Sequence, residues 1–192
     1  VLWKFHAIHH STEHLDWASG FRTHPLDGTI LAPAFFFLIA AGFSLEITGT
    51  LAVAQIILGL FLHANVNWKL RWLHRIIITP EFHHWHHTNE RDAIWTNYST
   101  FLPIWDQLFG TYFMPKNRRP MRYGVDEEIP KGILRQLCYP FRGWNNPAWY
   151  LFHPFKSLKL FFIFYWVTLK SIMKSIFRKR GAKPWDLFPE EG

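Results

Sequence analysis

The sequence predicts an all-α protein: a hairpin of apolar membrane helices, with short helices rich in histidine at its ends. Three observations carry that expectation. Residues 29–61 are almost wholly apolar, and Glu46 is the only charged side chain among them. Histidine triplets of the form H-x-x-H-H stand on either side of this run, at His6, His9, His10 and at His83, His86, His87. Aromatic residues make up 19% of the chain, with 11 tryptophans and 19 phenylalanines. That is more than a water-soluble domain carries, and Trp and Tyr collect where one side is apolar and the other wet.

In chain order, residues 1–27 read as a short helix bearing the first triplet, then a turn at THPLDG, where Pro25 and Gly28 break regularity. A bilayer core of ~30 Å needs ~20 helical residues, so the apolar run is too long for one span and slightly short for two. A break near Ser44–Gly49 makes it a tight hairpin whose two ends return to the same side. Two buried helices of a soluble bundle are the alternative, but they would need apolar neighbours that the rest of the chain does not supply. Lys69, Arg71 and Arg75 follow the second arm, which places that end, and both triplets with it, in the cytoplasm. Pro80 suits a helix start, with Glu81 in the first turn. Residues 88–115 read as a loop with one or two short helices, and residues 116–135 as a charged, solvent-facing loop. The aromatic-rich segment 158–169 precedes Lys170, Lys174, Arg178, Lys179 and Arg180. It is too short to span with ease, and reads either as a helix lying in the membrane interface or as a packed terminal helix.

Composition narrows the classes. The formal charge of +7 points to anionic lipid rather than nucleic acid, because no nucleic-acid motif accompanies it and the basic residues flank apolar segments. A mean hydropathy of -0.05 averages an apolar stretch with polar ends. Cys138 is the only cysteine, so an intrachain disulfide is excluded. The chain opens on valine and reaches its first triplet by the sixth residue, which reads as a piece whose N-terminal part is missing.

On a helix, residues i, i+3 and i+4 share a face, so each triplet presents three imidazoles together. With 12 histidines in 192 residues, the pattern arises by chance ~0.05 times per chain and twice at ~0.001. Imidazole suits iron, zinc, copper and nickel alike. The lack of cysteine partners argues against a structural zinc site, and two all-histidine faces beside a membrane argue for a pair of metals with open positions. Such a pair suits binding dioxygen and oxidising a lipid C–H bond, chemistry that needs a cofactor.

The remaining candidates sort by position. His63 closes the second apolar arm and is expected to be a ligand or to hold one, with Asn65 or Asn67 orienting it. His24 is either a partner of the ligands or a loop cap. His84 lies in the second triplet's helix but off its face. His14, His74 and His153 read as surface or interfacial residues. Asp106 is the best carboxylate to hold a ligand's second ring N–H, against a helix cap or an arginine pair. Glu13, Asp16, Glu90 and Asp92 read as solvated.

These elements resemble the fatty acid hydroxylase/sterol desaturase superfamily. The likeness runs through FHAIHHST, RTHPLD, the apolar hairpin, HANV, TPEFHHWHH, NY and WDQLFGTY, over roughly residues 3–113, with 114–192 unmatched. It implies an integral membrane oxidoreductase that hydroxylates, desaturates or demethylates a lipid. It implies two iron ions, dioxygen and electrons from a separate redox partner protein. It carries the family's ligands onto His6, His9, His10, His83, His86 and His87, and its H-A-N histidine onto His63. An isolated histidine site can also capture zinc, which keeps a non-catalytic zinc-binding membrane protein as the alternative. The family's earlier H-x-x-x-H motif has no counterpart here. Residues 1–115 are therefore expected to be a partial domain lacking its N-terminal helices and first motif, and 116–192 a C-terminal extension.

Overall fold

The computed structural model describes residues 2–27, 32–66, 72–142 and 155. Within them the chain is helical, and β pairing is confined to one isolated bridge between Thr88 and Tyr123. Two compact units are present, Val1–Pro140 and Phe141–Gly192. Asn67, Lys69, Arg71, His153 and the expected terminal helix at 158–169 lie outside the described residues.

Helix α1 (Leu2–His10) carries the first triplet. A 3-10 turn (Trp17–Phe21) follows, capped by Asp16, whose carboxylate accepts from Ser19 N while Ser19 Oγ accepts from Asp16 N. α2 (Ala32–Ala40) is nine residues of apolar sequence. The break after it falls at 41–44, earlier than the sequence suggested. Gly42 takes a φ of +92°, which favours glycine, and Ser44 caps α3 by accepting from Ile47 N. Glu46 and Gly49, expected in the break, are helical.

α3 (Leu45–His63) is 19 residues long with a mean hydropathy of 1.9, long and apolar enough to cross a membrane. Among the described residues it alone meets that description; the nine-residue α2 is shorter than a span, so one membrane-length helix is seen where two were expected. Leu45, Ile47, Leu51, Val53, Ile56 and Ile57 lie exposed along α3. Thr48 is buried in its first turn, and at its last turn Leu62 and His63 are enclosed.

The core that positions the site sits at this end. Leu62, Ile78 and the fully buried Phe82 form its centre, with Leu58, Phe61, Tyr112 and Met114 packed around them. Each buried side chain of this size contributes about 1.5–3 kcal/mol. α4 (Pro80–His86) enters this core with Thr79 as its cap, accepting from Phe82 N, and Pro80 at its first position. α5 (Ile104–Phe109) ends at Gly110, whose φ of +75° places it in the left-handed region that glycine adopts most readily. α6 (Ile133–Cys138) completes the described elements that matter here.

Residues 116–140 belong to the first unit, and most of 116–135 is exposed, as expected of a solvent-facing loop, although side-chain bonds tie it down. Thr88 Oγ1 and Asn89 N both donate to the Arg122 carbonyl. Asn89 Nδ2 donates to Asp126, and Glu127 accepts from both Trp3 Nε1 and the Tyr139 hydroxyl. Polar bonds to buried partners hold this segment, which a count of its charges does not reveal.

Candidate metal centre

Seven histidines from three helices converge into two adjacent groups: His9, His63, His83 and His87 in one, His6, His10 and His86 in the other. Within each group the ligand-type nitrogens lie within 4.8 Å of one another. The triplets are shared between the groups in a reciprocal way. α1 gives its i, i+4 pair (His6, His10) to the smaller group and His9 to the larger. α4 and its cap give the i, i+4 pair (His83, His87) to the larger group and His86 to the smaller. His63, from the end of α3, completes the larger group. The stacked rings of His10 and His87, 4.2 Å between centroids, join the two.

The nitrogens face one another at bonding distance. His63 Nε2 stands 3.0 Å from His9 Nε2, 3.1 Å from His87 Nε2 and 3.2 Å from His83 Nε2. His10 Nε2 and His6 Nε2 are 3.0 Å apart. Nitrogens around a four-coordinate ion with ~2.0–2.1 Å bonds stand ~3.3 Å apart.

The opposite ring edges decide where the protons are. His9 Nδ1 donates to the Arg22 carbonyl (3.2 Å), His63 Nδ1 to the Gly59 carbonyl (2.6 Å) and His86 Nδ1 to the Thr96 carbonyl (3.2 Å). Carbonyls only accept, so each of these rings carries its proton on Nδ1 and turns a bare Nε2 lone pair inward. His6 Nδ1 meets the carboxylate of Asp27 at 2.9 Å, with the same result. His87 Nδ1, by contrast, is buried without a hydrogen-bond partner.

Burial keeps the rings neutral. The pKa values of His9, His10, His83 and His87 fall well below the ordinary histidine value, first through loss of solvent and then through the neighbouring imidazoles. His86 is lowered to about 4 by the same burial and by His6, with Asp106 partly opposing. Converging neutral lone pairs repel one another unless a cation lies between them, and imidazole nitrogen is a donor suited to iron or zinc. The residues present therefore fit the metal pair that the sequence implied.

Other expected residues fall elsewhere. His24 is buried, its Nε2 donating to the Leu137 carbonyl and its Nδ1 accepting from Leu26 N, so it caps its loop and lies outside both groups. Asp106 is fully buried, but its carboxylate accepts from Tyr98 N, Ser99 N and Thr111 Oγ1. It organises the loop before α5 instead of holding a ligand N–H. The carboxylate that meets a ring of these groups is instead Asp27, at His6, in a segment whose sequence signals only a turn. His74, expected at the surface, is buried; its Nδ1 is 2.6 Å from Thr79 Oγ1 and its Nε2 3.0 Å from Glu81. It thereby braces the first turn of α4. His84 points away from both groups to Tyr123, whose hydroxyl lies 3.1 Å from Nδ1. His14 is exposed, as read. Glu90 and Asp92 pair with Arg118, and Asp16 is the cap described above.

Three further residues were not legible as site residues. Arg22 donates from Nε to the Ile8 carbonyl and from Nη2 to Ser11 Oγ, fixing the end of α1 while its own carbonyl takes His9. Asn97 is fully buried at a φ of +56°, donating to the Phe82 and Phe113 carbonyls and accepting from Phe113 N. It anchors the strand of loop that offers the Thr96 carbonyl to His86. Gly20 sits where a Cβ would stand 2.9 Å from Leu60 Cδ2 and 3.3 Å from His63 Nδ1, so a side chain here would force Leu60 to shift at the end of α3.

Among the described residues, helices, one of them long and apolar enough to cross a membrane, bring together two histidine groups whose chemistry fits a pair of metal ions. The fatty acid hydroxylase family model matches residues 1–111, and the chain belongs to that family. It is 35% identical over 141 residues to ornithine lipid hydroxylase OlsE of Rhizobium tropici, covering 73% of this chain and 43% of that protein. It is 28% identical over 152 residues to alkylglycerol monooxygenase of Homo sapiens, covering 76% and 33%. With the Danio rerio alkylglycerol monooxygenase it shares 29% identity over 133 residues, covering 67% and 28%. The chain thus spans less than half the length of these relatives. An alignment of 141 residues does not fit within 3–113, so the likeness runs further along the chain than the motifs alone showed. No solved structure matches the chain.

Proposed function

We propose that this chain is the metal-holding part of a membrane-bound oxidoreductase that oxygenates a lipid using dioxygen, two iron ions and electrons from a separate redox protein. The observation that carries it is the pair of histidine groups, with bare nitrogens facing inward at 3.0–3.2 Å. Iron bound there would supply the reductive activation of dioxygen that side chains do not perform alone.

The chain's own residues then have separable tasks. His9, His63, His83 and His87 would hold one ion, and His6, His10 and His86 the other. The Arg22, Gly59 and Thr96 carbonyls and the Asp27 carboxylate fix tautomer and ring direction. Burial keeps His9, His10, His83, His86 and His87 unprotonated near neutral pH. α3 would cross the bilayer, with the groups at its cytoplasmic end beside Arg75. Relatives named for ornithine lipid and alkylglycerol support a lipid substrate and favour hydroxylation over desaturation. The larger group, closed by four nitrogens, would also suit a structural zinc ion, and that feature favours the non-catalytic reading.

The test is a lipid comparison of host membranes with and without the full-length protein, paired with metal analysis. Wild type is expected to produce an oxygenated lipid and to carry two irons, and His86→Ala to lose the oxygenated lipid and the smaller group's iron. Unaltered lipid oxidation in His86→Ala would contradict the assignment.

A further inference from the structure

An apolar face lies on the described surface apart from α2 and α3. Ile104, Trp105 and Leu108 share one side of α5 and are exposed, as are Phe101 and Leu102 just before it. Trp72, Ile76 and Ile77 are exposed in the segment that precedes α4. Two bonds tie these stretches together: Ile78 N to the Phe101 carbonyl at 3.1 Å, and Gln107 Nε2 to the Arg75 carbonyl at 2.9 Å. Ile78 in turn packs on Leu62, so the face is fixed to the His63 end of α3.

Its charge is one-sided. Between Trp95 and Phe109 the only ionisable acid is Asp106, which is 1% exposed and spent on backbone N–H groups. Among the described residues of 72–78 the exposed charge is Arg75, whose guanidinium lies over the Tyr112 ring. Exposed Trp and aliphatic side chains beside a cation, without an exposed acid, match the boundary between acyl chains and anionic headgroups. A groove of about 350 Å³, lined by Tyr98, Phe101, Leu102 and Trp105 among others, opens on this face. The Tyr98 ring lies 6.0 Å from that of His86, in the three-histidine group.

We propose that this face, with the groove beside Tyr98, lies in the surface of the lipid bilayer. The face is continuous with the end of the one membrane-length helix described, and its charge fits a phospholipid surface. The proposal rests on the membrane reading given under the proposed function, and the experiment separates the two.

Bimane is attached at single cysteines in a background of the full-length protein with Cys138 and every other native cysteine replaced by serine, reconstituted in phosphatidylcholine–phosphatidylglycerol vesicles. The positions are Leu108→Cys, Ile104→Cys, Ile56→Cys in mid-α3, and Met121→Cys, 92% exposed between Pro120 and Arg122. Quenching by phosphatidylcholine with a nitroxide at acyl carbon 5 is compared with quenching by aqueous iodide. The expected result is several-fold more lipid than iodide quenching at Leu108 and Ile104, and the reverse at Met121. Iodide-dominated quenching at Leu108 and Ile104, with Ile56 quenched by nitroxide placed deeper in the chain, would overturn the interfacial face and leave the membrane helix standing. Iodide-dominated quenching at Ile56 as well would overturn both.

Discussion

The two histidine groups draw on the same two triplets and yet are differently housed. In the larger, His9, His63 and His87 are buried and their outer ring edges meet backbone carbonyls or nothing. In the smaller, His10 is buried and His6 and His86 are half-buried, as His83 is in the larger; the Thr96 carbonyl holds His86, but a carboxylate stands behind His6, and aromatic rings form the near wall. Trp3 lies 5.5 Å from His10 and 5.1 Å from Trp95, and Tyr98 lies against His86. Under the proposed function, a group closed by four nitrogens would suit retaining an ion, and a group of three, backed by an anion, would leave a position for something else.

The largest expected effect separates the groups by metal content. His87→Ala should remove the larger group's ion and lower thermal stability. His6→Ala should leave that ion in place and empty only the smaller group. Equal losses in the two variants, read by metal analysis, would erase the distinction. Asn97→Ala comes next, because it strands buried carbonyls of Phe82 and Phe113 and puts a Cβ residue without a side-chain amide at a φ of +56°. It should cost on the order of 3 kcal/mol of unfolding free energy, and a melting curve indistinguishable from wild type would remove Asn97 from the account.

Asp27→Asn should weaken metal binding at the smaller group by about 10–100-fold while sparing the larger, measured by competition with a chelator. A pH series acts on the metal-free protein. A histidine whose folded pKa is lowered binds fewer protons folded than unfolded, so stability falls as pH drops from the unfolded value of 6.5 toward about 4, the value for His86. Rising stability across that window would show the rings are not held neutral. The smallest effect belongs to Gly20→Ala. Leu60 must move and press the end of α3, which should loosen the larger group's ion a few-fold and leave the smaller's unchanged.

Much of this centre was legible in the sequence because helical periodicity fixes which side chains share a face. The triplets and the H-A-N histidine named all seven converging residues. Their partition was not legible, since i, i+3 and i+4 share a face but the crossing of α1 and α4 sends the i+3 member to the other group. Asp106 and Asp27 show a second limit. Both are carboxylates near histidines in sequence order or motif, but which one meets a ring depends on how a turn folds back. His74 looked exposed because its burial depends on Thr79 and Glu81 of the following helix, a tertiary contact that leaves no periodic trace. The apolar run was legible from its length, but among the described residues only α3 reaches membrane length, and Gly42 with the Ser44 cap sets the break a few residues before the expected Ser44–Gly49.

The most direct test of the central claim is the iron content of the full-length protein, purified from membranes and loaded anaerobically, with X-ray absorption at the iron edge. The account predicts two irons per chain, one for each histidine group, with shells dominated by imidazole nitrogen. One iron or none at saturation, or a shell without imidazole scattering, would contradict it.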